Sequence, residues 1–506
     1  MADAMTRRNF ASTLAAAPAL AQARRPNIVY VCSDQHNGRI VGANGRPMAR
    51  TPNMDRLAAM GVNFRNAYTV SPVCVPGRAA MMTGRFASDV DSYCNSTPLG
   101  RHPSWGNYLR DAGYRCMATG KLDLTGGADY GFEEIETTHG HSKNPDITSL
   151  FRAPLCFRAN ERRLITGTFS ERHDHDETLA RRAVDFIRAR KGDDKPWAVY
   201  VGMHMPHPKW DAHKRFESLY PADKIPLPRI PAGYWEKRHP AFQMMANFKN
   251  VSTPVPADRV RKARAAYLGM VTEVDEYLGL VLDEVTASGQ LDNTLFIYTS
   301  DHGEMGGDHG LWLKNVLLEN AARVPLMMAG AGLPKGAVVE TAVSHTDLVA
   351  TMVEMAGARA TAPLRGQSLI PLARGQAGSH PGFAYCESHS EGNCTGSFAI
   401  RKGDWKYIYF TGDEPLLFNL KDDPGEFVNL AGKPATAPVQ RELHAHLTSL
   451  VDPDKVTDRA FAEQERRLNG LVKKLSRDQM YKQLVGRLGS AQARALTNRL
   501  YRGATA

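Results

Sequence analysis

"NIVYVCSDQH", residues 27–36, runs from an apolar, β-branched core straight into Asp34, Gln35 and His36. A continuous apolar run without polar alternation predicts a strand over 27–32 buried on both faces of a sheet. Two further stretches repeat the plan. "WAVYVGMHMPH" predicts a strand over 197–203 that ends near His204 and His207. "TLFIYTSDHGE" predicts a strand over 294–299 that ends in Asp301, His302 and Glu304. Helical patterns lie between them. "TPNMDRLAAMGVNF" places Thr51 as N-cap and Pro52 at the first helical position. "DETLARRAVDFIRAR" and "ARAAYLGMVTEVDEYLGLVLDEV" are amphipathic with the helical period. Alternating strands and helices predict an α/β fold, a large and mostly parallel sheet with helices on both faces. In such sheets ligands sit beyond the carboxyl ends of the strands, where all three polar clusters fall.

Outward from this core the chain changes character. The first 23 residues carry Arg7, Arg8, a short Ala-rich stretch and an Ala21/Ala23 cleavage pattern. They read as a twin-arginine export signal, too short and too weakly apolar to span a membrane. The expected location is therefore periplasmic or secreted. The catalytic unit is expected over 24–375. Near 376 the pattern becomes alternating and turn-rich ("SFAIRKGDWKYIYFTGDEPLLFNLKDDPGEFVNLA"), which predicts a small antiparallel subdomain to 452. The tail from 453 to 506 is polar, helical and basic, with about seven net positive charges.

The whole chain has 506 residues, 42% hydrophobic and 23% charged, with a formal charge of +10. Those values suit a globular protein, and the positive charge favours anionic partners or substrates. No Walker or dinucleotide glycine pattern is present, and nothing points to nucleic acid. The seven cysteines are scattered without CxxC spacing; Cys386 and Cys394 could bridge in an exported protein.

Asp34, Asp301 and His302, with Gln35 as an amide oxygen, suit a divalent cation such as calcium, magnesium or manganese. "SPVCVPGRAAMMTG", residues 71–84, places Cys74 at the start of a helix and Arg78 one turn on. A helix N-terminus favours an anion, and Arg78 would point back at the same site.

C-x-P-x-R, here Cys74 to Arg78, followed by "AAMMTGR", resembles the signature of the type I sulfatases of the alkaline phosphatase superfamily. The resemblance extends through "TPNMDRLAAMGVNFRNAY", "GYRCMATGK", "SDHGEMGGDHGLWLK" and "RVPLMMAG" to "LFNLKDDPGEFVNLA". Among subfamilies, "GKLDLTGG" is similar to arylsulfatase K, a glucuronate-2-sulfatase, and "SPVCVPGRA" also resembles choline sulfatase. The resemblance implies that a formylglycine-generating enzyme converts Cys74 to an aldehyde, whose hydrate is the nucleophile. It implies Asp34, Gln35, Asp301 and His302 as metal ligands, with calcium foremost. It also implies Arg78 as support for the nucleophile. Lys121, Lys314 and one of His204 and His207 would bind sulfate oxygens and protonate the leaving group.

Three positions depart from the common pattern. Gln35 stands where many members carry Asp, and His302 where many carry Asn; an imidazole ligand also admits manganese or zinc. Asp123 stands where many carry His, which fits the glucuronate-2-sulfatase resemblance. The expected activity is hydrolysis of a sulfated carbohydrate, uronate 2-sulfate included. A phosphonate monoester or phosphodiester hydrolase, or a choline-sulfatase-like enzyme, is the alternative on the same scaffold. An inactive anion-binding protein is a third reading.

Overall fold

The computed structural model describes residues 25–502, apart from 46–47, 141–144, 152–156, 173, 377, 379 and 390. The expected export signal and Cys156 lie outside the described residues. Eight strands form the main sheet: β1 (Asn27–Ser33), β2 (Gly61–Phe64), β3 (Arg115–Lys121), β4 (Glu133–Thr138), β5 (Trp197–Gly202), β6 (Thr294–Ser300), β7 (Leu326–Ala329) and β8 (Ala337–Val339). Their order is β8-β2-β7-β6-β1-β5-β3-β4. Pairing is parallel except where β7 runs against β2 and β6. The three apolar runs are thus the three central strands, β5, β1 and β6.

Every residue of those three strands is buried, because alternate side chains feed two different cores. Val29, Val31, Val199, Val201, Phe296 and Tyr298 enter one core. Ile28, Tyr30, Ala198, Tyr200, Leu295 and Ile297 enter the other. The long Ala257–Ala287 helix and the His175–Arg188 helix pack on the first face. The Cys74–Thr83 and His345–Met355 helices pack on the second.

The sequence pattern carried the first helix through "GVNF", but it ends at Met60 and residues 61–64 form β2. Close approach decides this: a β-carbon on Gly61 would lie 2.0 Å from the Met328 carbonyl oxygen of β7. Thr51 holds the N-cap position without a side-chain capping bond.

Beyond the main sheet, β9 (Phe383–Ser388), β10 (Ser397–Lys402), β11 (Trp405–Phe410) and β12 (Asp413–Asn419) form a sequential antiparallel sheet. The tail is helical over Pro453–Lys474, Arg477–Leu488 and Ser490–Leu500. It is more than a solvated basic face: Met480, Leu484, Leu488 and Ala493 are buried in the first core. Arg487 also pairs with Asp146 at 3.3 Å. Cys386 is buried and Cys394 exposed, both as free thiols. Among the described residues, no helix is long and apolar enough to cross a membrane.

Candidate active site

Strand register builds the site. Ser33 of β1 pairs with Ser300 of β6, so the next residues, Asp34 and Asp301, leave the sheet side by side. Asp301 Oδ1 accepts from the Gln35 and His302 backbone N–H groups at 3.1 and 2.9 Å. Gln35 takes φ +75°, in the left-handed region that costs any residue with a β-carbon. Its side chain bridges two elements: Nε2 donates to Glu304, and Oε1 accepts from Lys314 Nζ at 2.6 Å.

Cys74 is the first residue of a helix whose ten residues are all buried. Gly77 explains why the turn closes so tightly: a β-carbon there would lie 2.7 Å from the Ser71 carbonyl oxygen and 3.3 Å from that of Asp301. Val75 N–H donates to Asn95 Oδ1 at 3.1 Å, which caps the helix start. Arg78 is fully buried and ties four strand ends together. Its Nε donates to Asp301 Oδ2 at 2.9 Å, and its NH1 donates to the Lys121 carbonyl at 2.7 Å and the Tyr200 hydroxyl at 2.9 Å. Its NH2 lies 3.6 Å from Asp34 Oδ2.

Lys121, at the end of β3, pairs with Asp34 and, at 3.2 Å, with Asp123. His207 belongs to the same assembly: after burial, the charges that act on its imidazole are those of Lys314, Asp34 and Lys121. His204 does not join the hydrogen bonding of the cluster. Its Nδ1 meets Asp176 Oδ1 at 3.0 Å and its Nε2 meets Thr138 Oγ1 at 3.1 Å. The structure therefore brings Asp34, Gln35, Cys74, Arg78, Lys121, His207, Asp301, His302 and Lys314 together, with Asp123 beside Lys121.

Burial would raise the Asp34 carboxyl, but Lys121, His207, Lys314 and Arg78 outweigh it and hold the group well below the usual carboxylate range. Burial and Lys314 push the His207 imidazole well down. Of the five buried cysteines described, Cys74 alone is pulled down. There burial and Asp34 push upward, and Lys121, Lys314 and His302 prevail. Burial drives Cys32, Cys116 and Cys386 up to about 12 and also raises Cys94.

The donor set fits a divalent cation. Ligand atoms of Asp34, Cys74, Asp301 and His302 lie within 4.8 Å of one another. Asp34 Oδ1 is buried and has no hydrogen-bond partner. His302 Nδ1 lies 3.0 Å from the Gly303 carbonyl, which leaves Nε2 facing Cys74 Sγ at 3.3 Å. A histidine tied this way at one nitrogen is oriented to ligate with the other.

Sequence reading missed the supporting residues. Asn95, Asp176 and Tyr200 sit in unremarkable local patterns and acquire roles only through contacts across the fold. Glu304 carried a signal, its place in "SDHGE", but its bond to Gln35 did not follow from that.

A family model described as "Sulfatase" matches residues 26–358, well over half of the chain. A second, described as "N-sulphoglucosamine sulphohydrolase, C-terminal", matches residues 307–452. Choline-sulfatase of Rhizobium meliloti (strain 1021) is 32% identical over 81% of this chain and 83% of its own length. Arylsulfatase K of Homo sapiens is 30% identical over 84% of this chain and 82% of its own. Among solved structures, phosphonate monoester hydrolase of Agrobacterium radiobacter aligns with a TM-score of 0.71 at 25% identity, covering 84% of this chain and 95% of that one. A protein solved with its substrate D-glucosamine-2-N,6-O-disulfate aligns with a TM-score of 0.69 at 22% identity, covering 87% and 98%.

Proposed function

The chain belongs to the sulfatase family and is a sulfuric ester hydrolase; from that premise we propose that it hydrolyses a sulfate monoester of a sugar, with uronate 2-sulfate the leading candidate. The observation that carries the reading is the setting of Cys74. Among the described residues it is the one buried thiol held low, with Lys121 and Lys314 close enough for their charges to act on it and His302 Nε2 3.3 Å from its Sγ. Cationic side chains that converge on one nucleophile are what an anionic ester requires.

In this reading Cys74 is oxidised to formylglycine by a separate maturation enzyme before it acts. The hydrated aldehyde offers one hydroxyl to attack sulfur. The other then expels sulfate as the aldehyde reforms, which an alcohol side chain cannot do. A divalent cation held by Asp34, Asp301, His302 and Gln35 would supply Lewis-acid polarisation of the sulfate oxygens. Lys121 and Lys314 bind the sulfate group. Arg78 fixes Asp301 and the ends of β3 and β5. The anionic ester, once bound, favours the protonated imidazole of His207, and Nε2 then passes that proton to the departing alcohol oxygen. The twin-arginine pattern at the N-terminus supports export to a periplasmic or extracellular site.

A second reading, phosphonate monoester hydrolysis, is favoured by one observation, the likeness to the Agrobacterium enzyme at 25% identity. Mature protein assayed on 4-nitrophenyl sulfate, phenylphosphonate monoester, choline sulfate and a panel of sulfated disaccharides separates the two. Sugar sulfates turned over best support the first reading, and phosphonate turned over best replaces it with the second. Peptide mass mapping tests the nucleophile: the Cys74 peptide should lose about 18 Da, the difference between thiol and aldehyde. Full activity in Cys74→Ala would overturn the mechanism.

A further inference from the structure

Lys249 follows the Pro240–Phe248 helix as its C-cap and is 1% exposed. None of its hydrogen bonds goes to a carboxylate. Its ammonium donates to the Trp312 carbonyl at 3.0 Å, the Lys314 carbonyl at 2.6 Å and Asn315 Oδ1 at 2.7 Å. An ammonium has three donors, and all three go to one four-residue stretch. That stretch is unusual in itself. Leu313 and Asn315, on either side of Lys314, take φ +64° and +84°. Two side-chain-bearing residues in the left-handed region persist only where surrounding contacts hold them. Glu304 holds the Leu313 N–H at 2.7 Å, and the Pro72 carbonyl holds the Asn315 N–H at 3.0 Å. Lys249 holds the carbonyl of Lys314 itself.

We propose that Lys249 is a positioning residue for Lys314: its ammonium ties down residues 312–315 and so fixes where the Lys314 ammonium meets the substrate's anionic group. The inference rests on the reading of Lys314 as a sulfate-binding side chain. A free lysine would swing over several ångströms; here the backbone under Lys314 is clamped and its Nζ is aimed at Gln35 Oε1. On its far side the stretch is braced again, as Asn315 Nδ2 donates to Glu391 at 3.1 Å and Glu391 lies 3.7 Å from Arg158.

The clamp has a pH signature. Burial pulls the Lys249 ammonium down to about 8; Glu161 and Glu304 act against the fall, and Arg158 and Lys314 add to it. The deprotonated amine has two N–H groups for three acceptors, so the clamp loosens as pH rises through about 8. Lys121 and Lys314 are themselves pushed upward and His207 downward, so none of these three titrates in that range.

The test is calorimetric titration of the mature full-length protein with inorganic sulfate, with kinetics on 4-nitrophenyl sulfate alongside. Lys249→Met should weaken sulfate binding about tenfold or more and raise KM in step, with a smaller change in kcat. Wild-type sulfate affinity should fall through pH 8, and the fall should be absent in Lys249→Met. Asn315→Asp, made together with Glu391→Gln so that an amide and not a second carboxylate faces it, adds a carboxylate beside the ammonium, so its break should move to higher pH; this variant decides the matter if Lys249→Met does not fold. Sulfate affinity within about twofold of wild type in Lys249→Met overturns the proposal, as does an unmoved break in the double variant. Binding is read without turnover. A wild type that binds sulfate but hydrolyses no sulfate ester overturns the proposed function and leaves Lys249 in place. An active wild type with unmoved variants overturns the role of Lys249 alone.

Discussion

His207 Nδ1 lies 2.7 Å from the carbonyl oxygen of Pro208, so Nε2 is the ring nitrogen left to meet a substrate. His204, three residues earlier, has both nitrogens engaged, by Asp176 and Thr138. The expected outcome is that His207→Ala lowers kcat/KM by about 10²–10⁴-fold, the usual worth of a general acid. His204→Ala should cost far less. The loss in His207→Ala should be largest for poor leaving groups, which need the proton most. The reverse order of the two variants would assign the role to His204.

Metal content should follow the donor set. Asp34→Ala and Asp301→Ala each remove a charged oxygen ligand and should abolish bound divalent cation and activity together. His302→Asn should retain metal and shift preference toward calcium, because an amide oxygen is harder than imidazole. Elemental analysis of the purified variants checks this; unchanged metal in all three would exclude the site.

Asp123 shares Lys121 with Asp34. Asp123→Asn removes one negative charge beside the Lys121 ammonium, which is proposed to bind sulfate, and so favours a more highly charged transition state. The ratio of kcat/KM for a phosphate monoester, a dianion, over a sulfate monoester, a monoanion, should rise about tenfold, the equivalent of about 1.4 kcal/mol of added attraction. Equal changes on both substrates would show that Asp123 has no part in charge selection.

A pH-dependent stability term sits away from the site. Burial and a hydrogen bond to Asp174 raise the Glu273 carboxyl to about 8, despite Arg172 at 2.8 Å, while Asp174 is held low. The folded chain keeps on Glu273 a proton that the unfolded chain releases near the ordinary carboxyl range. The stabilisation is therefore full at low pH and is lost as pH rises through about 8. The slope is at most about 1.4 kcal/mol per pH unit. Denaturant unfolding from pH 5 to 9 should show this decline in the wild type and a flatter profile in Glu273→Gln. Parallel profiles would refute it.

Much of this was legible from local pattern, because the central strands are buried on both faces and so announce themselves as unbroken apolar runs. Asp34 and Asp301 were legible for the same reason: parallel strands that pair in register deliver their next residues to one place. Cys74 and Arg78 carry a motif. The edge was not legible. Glu133–Thr138 reads "EEIETT", with too little apolar content to signal a strand, and is one only because β3 pairs with it. "GVNF" lacked any local cue that β7 would lie against it. Nor could "HMPH" choose between its histidines, since the choice is made by Asp176, 28 residues before His204. Lys249 has no motif at all; its role exists only in the contacts of the folded chain.

The depth at which Cys74 lies sets an order of events during synthesis. Its floor is completed by β6 and His302, which lies 228 residues further along the chain. At about 5–20 residues per second, the Cys74 segment emerges at least ten seconds or so before the strand that seals it. In the finished protein the thiol is 1% exposed and no second protein can reach it. Any enzyme that converts this side chain must therefore act on the nascent or unfolded chain. If Cys74 is converted as proposed, a molecule whose sheet has closed over the unconverted thiol has passed its only opportunity and can regain it only by unfolding.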